Sequence, residues 1–176
     1  FFKIIPGLLS KIKTMLKNKG FGLLEIVISS AIVAGTIFSL SYVFLIAHKL
    51  SAESSNKVRA NFLAEEGLEV SRLLRDQSWS SNFESLGAGT NYYLSFAPST
   101  SLWSITTSNP GLIDNLFARV ITVENVNRDP TTDNIVTTGG VNDPDTKKIN
   151  ASVSWSERSG TIAVTVSTYL TDMFNN

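Results

Sequence analysis

The sequence predicts an α+β protein in which one long N-terminal helix, membrane-spanning in its first half and amphipathic in its second, packs on an antiparallel β-sheet. Three observations carry this expectation. Residues 21–47 form an apolar run of twenty-seven with Glu25 as its only formal charge. No proline interrupts the chain between Pro6 and Pro98. From Asn91 onward the composition shifts to Ser, Thr, Asn and β-branched residues in alternation, punctuated by Gly, Pro, Asp and Asn.

The elements follow in chain order. Residues 1–20 contain Lys3, Lys11, Lys13, Lys17 and Lys19 and no acid, whereas the remaining residues hold 10 basic side chains against 15 acidic ones. A cationic start followed by an apolar span is the arrangement that the positive-inside bias keeps in the cytoplasm while the rest is exported. The expected division is a leader at 1–20, a transmembrane helix at 21–50, an amphipathic stem helix at 51–79 and an exported antiparallel β domain at 80–176. The expected location is the cytoplasmic membrane, crossed once, with the C-terminal domain outside.

A helix over residues 21–47 is about 40 Å long at 1.5 Å per residue, more than the roughly 30 Å hydrocarbon core. Glu25 is then costly, since a charged acid near the centre of such a helix costs about 2.5–3.5 kcal/mol and less towards its ends. It is either hydrated at the membrane surface or matched by a cationic partner. His48 and Lys49 end the span. Beyond them Val58, Phe62, Leu63, Val70, Leu73 and Leu74 recur among charges as the apolar stripe of a stem helix. Gly35 and Gly67 are its weak points, each costing about 1 kcal/mol relative to alanine.

In the exported region the clearest strand is 149–156, with Ile149, Ala151, Val153 and Trp155 on one face and Asn150, Ser152, Ser154 and Ser156 on the other. "ERSG" turns the chain, and Ile162, Val164, Val166 and Leu170 continue on the return strand. "LFARVITVENV" is a third strand; "YYLSF" and "SLWSIT" are shorter ones. Turns are expected at "GAGTN", "TSNPG", "RDPTTDN" and "TTGGVNDPD". The apolar sheet face needs a cover, and the stem is the available surface.

Composition excludes several chemistries. The absence of cysteine removes disulfides and thiolate metal sites. The exported part is acidic and has no basic stripe with interleaved aromatics, so nucleic acid is not an expected partner. Glu65, Glu66 and Glu69 beside Arg72 read as a solvated helix face with i,i+3 pairs rather than an acid–base cluster. His48, the lone histidine, reads as a solvated interfacial residue. Asp129, Asp133, Asp143 and Asp145 offer oxygen ligands for calcium or, alternatively, serve as turn residues in a solvated loop. No catalytic constellation and no cofactor is expected.

"KGFGLLEIVISSAIVAGTIFSL" resembles the N-terminus of type IV pilins and of the pseudopilins of type II secretion systems. There a short basic leader ends in Gly, Phe follows, and Glu stands four residues further on. Gly20, Phe21 and Glu25 match position for position, while Gly22 departs from the usual Thr or Ser. The resemblance implies a pilin fold, cleavage between Gly20 and Phe21 by a prepilin peptidase, methylation of the new Phe21 amine, and pairing of Glu25 with that amine on a neighbouring subunit. Tyr42 lies where many major pilins carry a helix-loosening proline.

"FLAEEGLEVSRLLRDQSW" and "KKINASVSWSERSGTIAVTVSTYLTDM" resemble the stem end and closing hairpin of minor pilins of the pilus modification type. Major pilins often carry a C-terminal disulfide, which this chain cannot form. The resemblance therefore implies a non-enzymatic minor subunit of a type IV pilus, partnered by prepilin peptidase, other pilin subunits, the assembly machinery and the lipid membrane. A secretion pseudopilin and a signal-anchored binding module are the alternatives.

Overall fold

The computed structural model describes residues 22–158 and 160–174. The chain falls into two compact units, Phe1–Ser51 and Ala52–Asn176. Helix α1 (Leu23–Gln77) begins in the first, where every described residue is exposed, including Leu24, Ile32, Phe38 and Phe44. A helix that is apolar all round and has no covered face is stable only in a non-aqueous surrounding. Its first half is long and apolar enough to cross a membrane.

In the second unit, among the described residues, six strands form an antiparallel sheet: β1 (Asn91–Ala97), β2 (Leu102–Thr106), β3 (Ala118–Arg128), β4 (Ile135–Val136), β5 (Val141–Glu157) and β6 (Gly160–Thr171). The order is β2-β1-β3-β5-β6, with the short β4 also on β3. β1 meets β3 only through Asn91–Thr122 and Tyr92–Ile121 and otherwise pairs with β2. The alternation expected at 149–156 holds: Ile149, Ala151 and Val153 are fully buried and Trp155 nearly so, opposite Ile162, Val164 and Val166 of the return strand.

β5 is longer than its expected core. The residues "VNDPD", expected as part of a turn, begin the strand instead, and the turn shrinks to Thr137–Gly140, with Gly139 and Gly140 both at positive φ. A Cβ on Gly140 would sit 2.6 Å from the Arg128 carbonyl oxygen, so only glycine fits. Pro144 is tolerated because the β3–β5 register shifts at Asn125/Val126, leaving a bulge where no ladder donor is required.

The stem helix meets the sheet through a row that the large apolar residues mark only in part: Val70 and Leu74 are buried as expected. Val58, Phe62 and Leu73, expected on the covered stripe, are exposed, and Leu63 is only partly buried. The buried row is Ala60, Ala64, Gly67, Ser71 and Leu74, repeating every four or three residues, flanked by Leu68 and Val70. Small side chains let the helix approach closely. At Gly67 an added Cβ would lie 3.3 Å from each of Ala151 Cβ, Arg119 Cδ and Ile121 Cδ1. Gly67 is thus a contact position as well as a weak helix former.

Two arginines fasten the same face. Arg119 on β3 is almost fully buried and donates to the Leu63 carbonyl at 3.2 Å and to Glu66 Oε2 at 3.0 Å, with its guanidinium 5.8 Å from the Trp103 ring. Arg59 lies 5.5 Å from the Phe117 ring and pairs with Asp114. Past Gln77, a single π-helical turn (Ser80–Glu84) stacks Phe83 on Trp79, both buried, against the end of the core.

Gly67→Leu is expected to lower the stability of this unit by about 1–3 kcal/mol through overpacking. Gly35→Leu, where an added Cβ meets nothing within 4 Å, should leave it unchanged. Thermal unfolding of the two variants in the same detergent checks both.

Candidate functional site

Among the residues singled out by the sequence, Gly20 and Phe21 lie outside the described residues. Glu25 occupies the first turn of α1, which opens with Glu25 N–H and Ile26 N–H donating to the Gly22 carbonyl at 2.9 and 3.2 Å. A carboxylate there faces the positive end of the helix dipole, which offsets part of its cost. Beside it Ile26, Ser29, Ser30, Val33, Ala34 and Ile37 line a shallow, open apolar groove.

Four hydroxyls of the span are bonded within the helix. Ser30 donates to the Val27 carbonyl at 2.9 Å, Thr36 to Val33 at 2.7 Å, Ser39 to Gly35 at 2.9 Å and Ser41 to Ile37 at 2.9 Å. These back-bonds satisfy those four hydroxyls without any other chain. Glu25, an acceptor that carries the span's only charge, has no side-chain partner among the described residues.

Two of the three stem glutamates have a charged partner. Glu69 pairs with Arg72 three residues on, as the spacing suggests. Glu66 reaches across to Arg119 on the sheet, a contact 53 residues away in sequence. His48 packs edge-on against Phe44 with ring centroids 4.3 Å apart.

The four aspartates of the 129–145 loop are not brought together as a ligand set, and among the described residues no group of three acidic, His or Cys side chains is placed to hold a metal. The cation in the loop is Arg128. Its Nε donates to Asp143 Oδ2 at 2.6 Å, its Nη1 to the Asp133 carbonyl at 2.9 Å and its Nη2 to Thr146 Oγ1 at 3.2 Å. Asp129 instead caps its own turn, accepting from the N–H groups of Thr131 and Thr132 at 2.8 and 2.9 Å. Asp145 accepts through its backbone carbonyl from Asp172 N–H at 2.8 Å.

These contacts set the carboxylates' acidity. Burial alone would push the Asp143 carboxyl up, but Arg128, the Thr146 hydroxyl and the Asp145 N–H together hold it below the ordinary value. The two backbone N–H groups lower Asp129 in the same direction. On the outer sheet face, hydrogen bonds from Asn150 and Lys148 lower Glu124.

No protein-family model, no curated protein and no solved structure matches the chain.

All three carboxyls have depressed folded-state values, so their contribution is present above the ordinary carboxylate range and is lost as the pH falls through those values. The thermal midpoint is expected to drop below about pH 4. Asp143→Asn should lower the midpoint at pH 7 and shrink its dependence on acid, as followed by circular dichroism between pH 7 and pH 3.

Proposed function

We propose that this chain is a structural subunit of the type IV pilin kind, a minor pilin that does not act as an enzyme. In this reading it is held in the cytoplasmic membrane by α1, freed of residues 1–20 by a prepilin peptidase cutting between Gly20 and Phe21, and built into a filament with other pilin subunits. The observation that carries it is Glu25. It is a lone carboxylate at the head of a lipid-length helix whose serines and threonine largely satisfy themselves.

The resemblance of "KGFGLLE" supplies the matching cation, the Phe21 amine of a neighbouring subunit, which exists only after cleavage. Such a pair adds little net stability, but deleting one partner of a buried pair costs about 3–5 kcal/mol, so its value lies in register. The layout of a long helix over an antiparallel sheet supports the pilin reading. The lack of any possible disulfide favours a minor subunit over a major one.

N-terminal sequencing of membrane-extracted protein should return Phe21 as the first residue; a mature end elsewhere in cells with active peptidase overturns the reading. Glu25→Ala is expected to be made, inserted and cut normally but to be depleted from sheared fibres on immunoblots. Normal abundance in fibres would return Glu25 to a hydrated surface role.

A further inference from the structure

The sheet face turned away from the core carries a recess at one end. Val123, Ile149 and Leu170 are buried in the core, so their chain neighbours Glu124, Lys148 and Tyr169 stand on the opposite face. These three are aligned across β3, β5 and β6, since Glu124 pairs with Lys148 and Lys148 with Tyr169. Just beyond Glu124 the β3–β5 register shifts, and β4 with Thr137 forms a wall beside β3. The recess so enclosed measures about 220 Å³. Val126, which lines it, is 3% exposed although it does not belong to the core under the stem. Bulges recur beside binding sites because they bend a strand and re-aim its side chains.

The polar groups of the recess are held in place before any ligand arrives. Asn150, nearly buried, accepts from the Ser167 hydroxyl at 2.7 Å and donates to Glu124 Oε1 at 2.5 Å, fixing that carboxylate. Lys148 Nζ donates to Glu124 Oε2 at 3.2 Å. An ammonium has three hydrogens and a carboxylate oxygen has two lone pairs, so each group keeps capacity for a further partner. An acceptor and a donor therefore stand side by side, and with no other charged residue in the lining their charges cancel. Beside them lie the half-exposed ring of Tyr169 and the aliphatic side chain of Ile135.

These features select a ligand class. An anion or a cation would find its opposite charge already matched and a like charge close by. A neutral polyol meets no such conflict, because two vicinal hydroxyls, each both donor and acceptor, span Glu124 and Lys148 together. The C–H face of a sugar ring covers the apolar body of Tyr169. The volume lies below the roughly 300–1,000 Å³ of pockets for drug-sized molecules, which suits one ring and not a buried oligosaccharide.

We propose that this recess binds a single uncharged pyranose ring, with Glu124 and Lys148 holding a vicinal hydroxyl pair and Tyr169 packing on the ring's C–H face. The recess lies wholly within the second unit, so the proposal stands or falls apart from the pilin reading.

The test uses the full chain in dodecylphosphocholine micelles, a detergent with no sugar headgroup. The probes are glucose, galactose, mannose and N-acetylglucosamine with their methyl glycosides, followed by saturation-transfer NMR. A ligand this small in an open recess binds in the millimolar range, so the titration runs to tens of millimolar. At least one sugar should give saturable transfer, insensitive to added salt because it carries no charge. Binding of the methyl glycosides points to the end of a glycan chain, and binding of the free sugars alone to a free monosaccharide; either supports the proposal. Tyr169→Ala and Glu124→Ala should each weaken binding about tenfold or more. Ser154→Ala, on the same face but outside the recess, should not. On the unsubstituted chain, bound sugar should slow nitration of Tyr169 by tetranitromethane, read by peptide mass spectrometry, and leave Tyr93 unchanged.

No saturable transfer from any of these sugars, undiminished binding by both variants, or a Tyr169 that bound sugar fails to protect overturns the proposal. Stronger binding of glucuronic acid or glucosamine, the charged analogues, overturns the uncharged class. If a variant loses its thermal transition, the nitration result on the unsubstituted chain decides.

Discussion

The second unit depends on how closely its helix lies against its sheet. With a side chain at Gly67, and larger ones at Ala60, Ala64 and Ser71, the helix would stand away from Ala151 and Ile121. Ile149, Val153 and Trp155 would then lose the layer that keeps them dry. Dispersion contacts decay steeply with separation, so a gap of even 0.5–1 Å forfeits roughly a quarter to a half of each. The charged groups follow from the same approach. Arg119 reaches the Leu63 carbonyl and Glu66 only because the helix backbone is near, and its buried charge is acceptable only because those acceptors are there.

Much of this was legible in the sequence because it is local. Strict alternation at 149–156 marks a half-buried strand, and the structure buries the predicted face. The spacing of Glu69 and Arg72 gives their pair directly. The stem's covered face was not legible in the same way, since hydrophobic periodicity is dominated by large residues. Val58, Phe62 and Leu73 outweigh alanine and glycine in any such pattern, yet the helix turns them outward and buries the small ones. Gly67 looked like a defect because helix propensity is a property of one helix, and its reason lies on another element.

The long-range pairs were invisible for a related cause. Arg128 and Asp143 are fifteen residues apart and meet because β3 and β5 are neighbours. From sequence the four aspartates read as turn residues of a solvated loop, with calcium ligation as the lesser alternative, and what the sequence does not show is a guanidinium whose reach depends on sheet order. The start of β5 was hidden by its own composition, because Gly, Asn, Asp and Pro signal turns and only the bulge lets Pro144 stay in a strand. For the candidate assembly site, the sequence shows Glu25 in its apolar surroundings, and the structure adds the internal bonding of the nearby hydroxyls.

The row of small residues also bears on how the chain is made. The stem leaves the ribosome before any of the strands it will cover, and Trp155 follows Ser71 by 84 residues, an interval of roughly 4–17 s at about 5–20 residues per second. Through that interval the sheet-facing row shows the cell mostly alanine, glycine and serine, a surface with little for chaperones or neighbouring nascent chains to hold. A row of leucines would bury more area in the finished domain, but it would be adhesive for as long as the domain was incomplete.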